Sequence, residues 1–273
     1  MSDEPVGRGG MVVADVIPAP RIVAFDAPWA WLGAGWQDLW ANPRLSLTYG
    51  AVFAAIAAGL TFGLFAIDAL PLFLALCGGF LLLGPLFAVG LYEASRRRER
   101  GDHPTLREVA MAPLFARGQL AFAGALLLVI FFLWLRAAFL LLMLFLGGSG
   151  IPPPSEFTRL LLFTPHGLGL LVVGTAVGAI LAAFVFATTA LSIPMLASRR
   201  VDVFTAAVAS VRAVLLNLKP MALWAALIVV IMAAGFATVL AGLVIAFPLI
   251  GHATWHAYAD VFAPRPGAPE NSG

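Results

Sequence analysis

The chain has 273 residues, 11% of them charged and 62% hydrophobic, with a formal net charge of +2 and a mean hydropathy of +0.98. A soluble domain averages about a quarter charged residues, so a single water-facing globule is excluded. Lipid is the solvent that fits, because the apolar runs are long enough to cross a ~30 Å hydrocarbon layer. The basic residues lie in short connections beside those runs, where they set topology and give no nucleic-acid surface.

Residues 1–20 carry no continuous apolar stretch ending in a small-residue cleavage site, so no cleavable signal peptide is read. Their Pro, Gly and charge, like those of residues 263–273, leave too little apolar surface to offset ordering, and both tails are expected to be disordered. Between them, residues 21–262 are expected to form one membrane domain. It opens with a helix over 29–40, in which Trp29, Leu32, Trp36, Leu39 and Trp40 share one face and Gln37 and Asp38 face away. Trp29, Trp36 and Trp40 are read as interfacial anchors on the inner leaflet, since tryptophan favours headgroup depth.

Apolar runs follow at about 47–67, 70–93, 119–146, 168–194 and 220–260. Lipid cannot satisfy free backbone groups, so each run must be helical. The last run has 41 residues, which as one helix would extend ~60 Å, about twice the hydrocarbon thickness. It is therefore expected to fold back near Ala241 and Gly242. The predicted fold class is an all-α polytopic transmembrane bundle of about six spans in three hairpins, with amphipathic interfacial helices.

The positive-inside rule orients the hairpins. Connection 94–118 carries Arg96, Arg97, Arg98, Arg100, Arg107 and Arg117, and connection 195–219 carries Arg199, Arg200, Arg212 and Lys219. The turns near Asp68 and Gly242 have no Lys or Arg, and the loop 147–167 has only Arg159. Both termini are thus expected in the cytoplasm of a bacterial inner membrane. Amphipathic stretches at about 105–116 and 203–217 precede the second and third hairpins, and two short alignments suggest a repeat. Trp36–Arg44 aligns with Val211–Lys219, and Ala94–Arg97 matches Ala197–Arg200.

Few residues carry chemistry. Pro85, Pro194 and Pro248 each remove a helix hydrogen bond, giving either a packing kink or a cation-coordinating notch. Arg136 is the one ionisable residue well inside an apolar run. It is read as structural, snorkelling outward or pairing with Asp68 or Glu156, with a substrate or proton role as the alternative. His252 and His256 stand four apart and can share a helix face. Two imidazoles are too few ligands for a closed metal site, so they are read with Trp255 and Tyr258 as interfacial belt residues rather than a haem or metal pair. Cys77 is alone, and no phosphate loop, G-x-S-x-G elbow, H-E-x-x-H or C-x-x-C is present.

The segments Trp31-Leu-Gly-Ala-Gly35-Trp36-Gln-Asp38-Leu, Leu47-Thr-Tyr49-Gly50 and Pro248-Leu-Ile-Gly251-His252-Ala-Thr-Trp255-His256-Ala-Tyr258 resemble the bacterial family catalogued as domain of unknown function 2189, over about residues 20–260. The resemblance implies an integral membrane protein and adds no activity. Some members carry names invoking cytochrome c oxidase subunit I, but this chain has half that subunit's spans and only four histidines, so no haem or copper ligand is carried over. The expected role is non-enzymatic, without catalytic residues, metal or cofactor, acting on membrane lipid, a membrane-protein partner or a second copy as an accessory or assembly component. A small transporter or channel is the alternative, and an intramembrane redox subunit ranks third.

Overall fold

The structure, a computed structural model, describes residues 19–67, 69, 72–112, 118–147 and 154–262. Asp68 and nearly all of both tails expected above lie outside these residues. Every regular element among the described residues is a helix. In chain order these are α1 (Ala27–Ala41), α2 (Pro43–Ala66), α3 (Phe73–Phe87), α4 (Val89–Glu99), α5 (Leu106–Met111), α6 (Gly118–Leu146), α7 (Pro154–Phe163), α8 (Pro165–Thr189), α9 (Ser192–Ser198), α10 (Val203–Leu216), α11 (Leu218–Ala237) and α12 (Leu243–Val261).

One order of elements runs three times, a short helix followed by two long passes: α1 with α2 and α3–α4, α5 with α6 and α8–α9, α10 with α11 and α12. The segment 147–167, expected as a loop, contains the additional helix α7. Among the described residues, five helical stretches are long and apolar enough to cross a membrane: Pro43–Ala66, Ala75–Glu99, Gly118–Leu146, Pro165–Ser198 and Leu218–Ala237. The sixth pass, α12, is more polar and is enclosed instead, with twelve of its nineteen residues buried. It packs chiefly against α1, α2, α4 and α11.

The starts of these helices are legible in local chemistry. Asn42, Thr164 and Asp202 accept hydrogen bonds from the amides of Leu45, Gly167 and Thr205 at 3.3, 3.0 and 2.9 Å. Thr105 and Glu108 form a reciprocal capping box on α5. Pro43 and Pro165 occupy the first turn, where a missing N–H costs nothing. The last run folds back at 238–242, as its length requires. Thr238 Oγ1 accepts from the Gly242 amide at 2.8 Å and donates to the Gly235 carbonyl at 2.9 Å. Val239 and Leu240 are held there at φ 53° and 69°, a left-handed pair that L side chains rarely adopt.

Close crossings fix α12 in the centre. A Cβ on Gly50 would fall 2.1 Å from the Val244 carbonyl oxygen, and one on Gly35 would fall 2.7 Å from the Ala253 nitrogen, so only glycine permits α1 and α2 to approach this near. Phe53, midway along α2, stacks on Phe247 with ring centres 4.2 Å apart. Phe247 lies one turn into α12, so the tip of the last hairpin stops short of the far end of α2.

Each of the first two proline-bearing passes is broken, and a hydroxyl from another helix meets the released backbone. Below Pro85 the α3–α4 junction leaves the Phe87 carbonyl to accept from Tyr49 Oη at 2.6 Å. Above Pro194 the α8–α9 junction admits Ser210, whose Oγ donates to the Ala187 carbonyl at 2.8 Å and accepts from the Leu191 amide at 3.3 Å. A side chain inserted into the helical ladder is an ordinary cause of a kink. Pro248 lies inside an unbroken α12.

Candidate functional site

His252 and His256, one turn apart on α12, project into a polar cluster at the Arg-rich end of the bundle. The belt reading of these residues is corrected here: His252, Trp255 and Tyr258 are only 2%, 5% and 4% exposed. The reason is that α12 is the innermost helix, so its polar face meets other helices instead of headgroups. His252 is clamped between two buried serines, with Ser46 Oγ 3.0 Å from Nε2 and Ser95 Oγ 2.8 Å from Nδ1. A neutral imidazole has one donor and one acceptor, so one serine accepts and the other donates.

One turn on, His256 Nε2 lies 2.8 Å from Asp38 Oδ2, and its Nδ1 lies 3.5 Å from Glu99 Oε1. Arg98 pairs with the other Asp38 oxygen. Asp38 was expected on the outward face of α1, yet it is 5% exposed. The buried face of α1 is Trp31, Gly35, Asp38 and Leu39, while Trp29, Trp36 and Trp40 are the exposed ones. The Gly35 crossing turns Asp38 inward, and Leu39, also placed on the tryptophan face, is buried with it. Burial opposes the charge on Asp38, but hydrogen bonds from His256 and Ser95, with the nearby histidine charge, outweigh it and hold the carboxyl down at about 2.

The same end carries further pairs. Asp260 accepts from Trp31 Nε1 at 2.9 Å and pairs with Arg21. Tyr258 Oη accepts from Arg199 Nε at 2.9 Å and from Ser198 Oγ at 3.2 Å. Glu93 holds Arg96 and Arg97, each at 2.7 Å. Ser95 and Ser198, matched in the short alignment, thus both reach α12. Among the described residues no three His, Cys, Asp or Glu side chains gather as a metal would require, and both ring nitrogens of each α12 histidine face a partner.

The remaining candidates are scattered. Arg136 is exposed on α6, and among the described residues it makes no ion pair. The expected pairing with Glu156 is therefore absent, and Asp68 lies outside those residues. Pro85 borders the second feature of the molecule, a cavity of about 1220 Å³ between α3, α6, α8, α11 and α12. Small-molecule sites span roughly 300–1,000 Å³, so this one is large. Gly174 leaves open space in its wall, Gly78 and Gly178 make room for the Trp134 ring, and among the described residues no Asp, Glu, Lys, Arg or His lines it. Of its polar side chains, Trp134 Nε1 donates to the Ala75 carbonyl at 2.7 Å and Thr189 and Thr254 donate to the carbonyls four residues back, while the buried indole N–H of Trp224 has no partner among the described residues. The cavity was not foreseen, since apolar runs do not reveal which helices part.

Residues 72–198 match the family model described as predicted integral membrane protein (DUF2189). The match runs from the start of α3 to the end of α9, and leaves out the tryptophan- and histidine-bearing segments that carry the resemblance seen in the sequence. No curated protein and no solved structure matches the chain.

Proposed function

On the footing of that family match, we propose that this chain is a non-enzymatic integral membrane protein of a bacterial inner membrane, working through a lipid or membrane-protein partner as an accessory or assembly component. The observation that carries this reading is the cavity at membrane depth, which is large and, among the described residues, is lined by no Asp, Glu, Lys, Arg or His. Such a space suits hydrocarbon or an apolar helix. A polar solute would lose its hydration there with few polar groups to replace it. Arg136, the residue that favoured transport, is not among its lining residues. The polar cluster adds to the same view from the other side, because its charges and imidazoles are buried between helices and engaged with one another, as in a structural lock. The arginines of 94–118 and 195–219 support cytoplasmic termini.

Purification of the full chain in mild detergent, followed by mass spectrometry of what is retained, tests this reading. A lipid or polypeptide held in fixed proportion is the expected result. Flux of a polar solute through proteoliposomes holding this protein alone would overturn it. A reporter fused after residue 262 is expected to report a cytoplasmic location.

A further inference from the structure

The cavity has a side door. α8 packs on α6, α7 and α10 rather than on α11, although both α8 and α11 line the cavity. Exposed Thr175 and Ala183 of α8 and exposed Ala222 and Val229 of α11 are among the lining residues, so the space opens sideways between the two helices. At that depth the neighbouring solvent is lipid. The opening is therefore a groove, floored by α3 and α12.

Its Arg-rich end is closed by the corner between α10 and α11, and two cations stand there. Lys219, Ala222 and Ala226 follow one another at helical spacing on an exposed stripe of α11, and both alanines line the groove. Arg212 is exposed one turn before Leu215, which also lines it. Among the described residues neither cation has a carboxylate partner. A hydrocarbon slot ending in two unspent cations at the start of a membrane span has the polarity of one kind of molecule, with an apolar chain and an anionic head.

We propose that the groove between α8 and α11 binds an anionic glycerophospholipid, with an acyl chain against α3, α8 and α11 and the phosphate at Arg212 and Lys219. Long basic side chains at the end of a span reach headgroup phosphate while their stems stay in hydrocarbon, and basic pockets between membrane helices take anionic headgroups. This deepens the partner reading above and rests on it, since it names the partner.

The test is native mass spectrometry of the full chain in detergent, offered equal amounts of phosphatidylglycerol and phosphatidylcholine with identical chains. Retention of phosphatidylglycerol is expected to exceed that of phosphatidylcholine about thirtyfold, from about 1 kcal/mol of attraction for each of the two cations. Arg212→Gln with Lys219→Gln is expected to reduce that preference to about twofold or less. Ala222→Trp, which fills the groove from an exposed position, is expected to remove both lipids. A diazirine on the acyl chain of phosphatidylglycerol provides a reading that needs no variant, and its adducts are expected on α8 and α11. Equal retention of the two lipids, or adducts spread evenly over all exposed helices, would overturn the proposal. A polypeptide seated in the groove instead would overturn the lipid and leave the partner reading standing. Retention of neither would remove both.

Discussion

The two halves of the bundle are built on opposite terms. Around α12, twelve of nineteen residues are buried, two helices cross at glycine contacts, and His252, His256, Tyr258 and Asp260 each have a polar partner, while the buried indole N–H of Trp255 has none among the described residues. Along α8, only Gly167, Val185 and Thr189 of twenty-five residues are buried, and one flank faces an open apolar groove. In lipid an apolar surface gains little by leaving one apolar environment for another, so close packing and interhelical hydrogen bonds must hold helices together. α12 has both devices. α8 has small residues but buries few of its side chains, which leaves room for a ligand.

The sharpest way to break this contrast is to add one methyl group on each side. Gly50→Ala would place a carbon 2.1 Å from the Val244 carbonyl oxygen, and backbone would have to move. A loss of about 3 kcal/mol or failure to fold is expected, read as thermal unfolding in detergent. Gly174→Ala, whose new carbon meets nothing within 4 Å, is expected to change stability by less than about 1 kcal/mol.

Next in size is the polar cluster. Asp38→Ala leaves His256 and Arg98 without their shared carboxylate, and about 2–3 kcal/mol is expected, below the full cost of a buried pair because Arg98 is partly exposed. His252→Phe orphans two buried serines and is expected to cost about 2 kcal/mol. Acid titration sharpens the assignment. The Asp38 carboxyl is lowered from 3.8 to about 2, so its contribution is complete above about pH 5 and is lost as pH falls through about 4 to 2. That contribution is about 2 kcal/mol. Asp38→Asn is expected to flatten the acid limb of the stability curve over that interval.

Helices, hairpins and the turn at 238–242 were legible in the sequence because hydrocarbon thickness and backbone satisfaction constrain them. The buried face of α1 was not. Tryptophans at helical spacing outweighed a second stripe, Trp31, Gly35, Asp38 and Leu39, whose glycine was the available sign of a close crossing. Likewise the histidine spacing was visible, but its partners Ser46, Ser95 and Asp38 come from three other helices, and no local pattern joins them. The hydroxyls of Tyr49 and Ser210 that complete the two kinks were hidden for the same reason. Depth along α12 was misjudged because a span was assumed to face lipid, whereas this one lies inside.

The smallest effect is expected at Arg136. It has no partner among the described residues, so Arg136→Leu removes no pairing, and a change within about 1 kcal/mol is expected. A large loss would place an unseen carboxylate beside α6.

Spin-label distances address the division between a fixed half and an open half. In a Cys77→Ser background, labels at Val52 and Ile245 bridge α2 and α12, and labels at Ile180 and Ala233, exposed on α8 and α11 outside the cavity lining, span the groove. The first pair is expected to give one narrow distance in detergent and in phosphatidylglycerol bilayers alike. The second is expected to be broad in detergent and to narrow in the bilayer as the groove fills. Equally narrow, unchanging distances for both pairs would contradict the division.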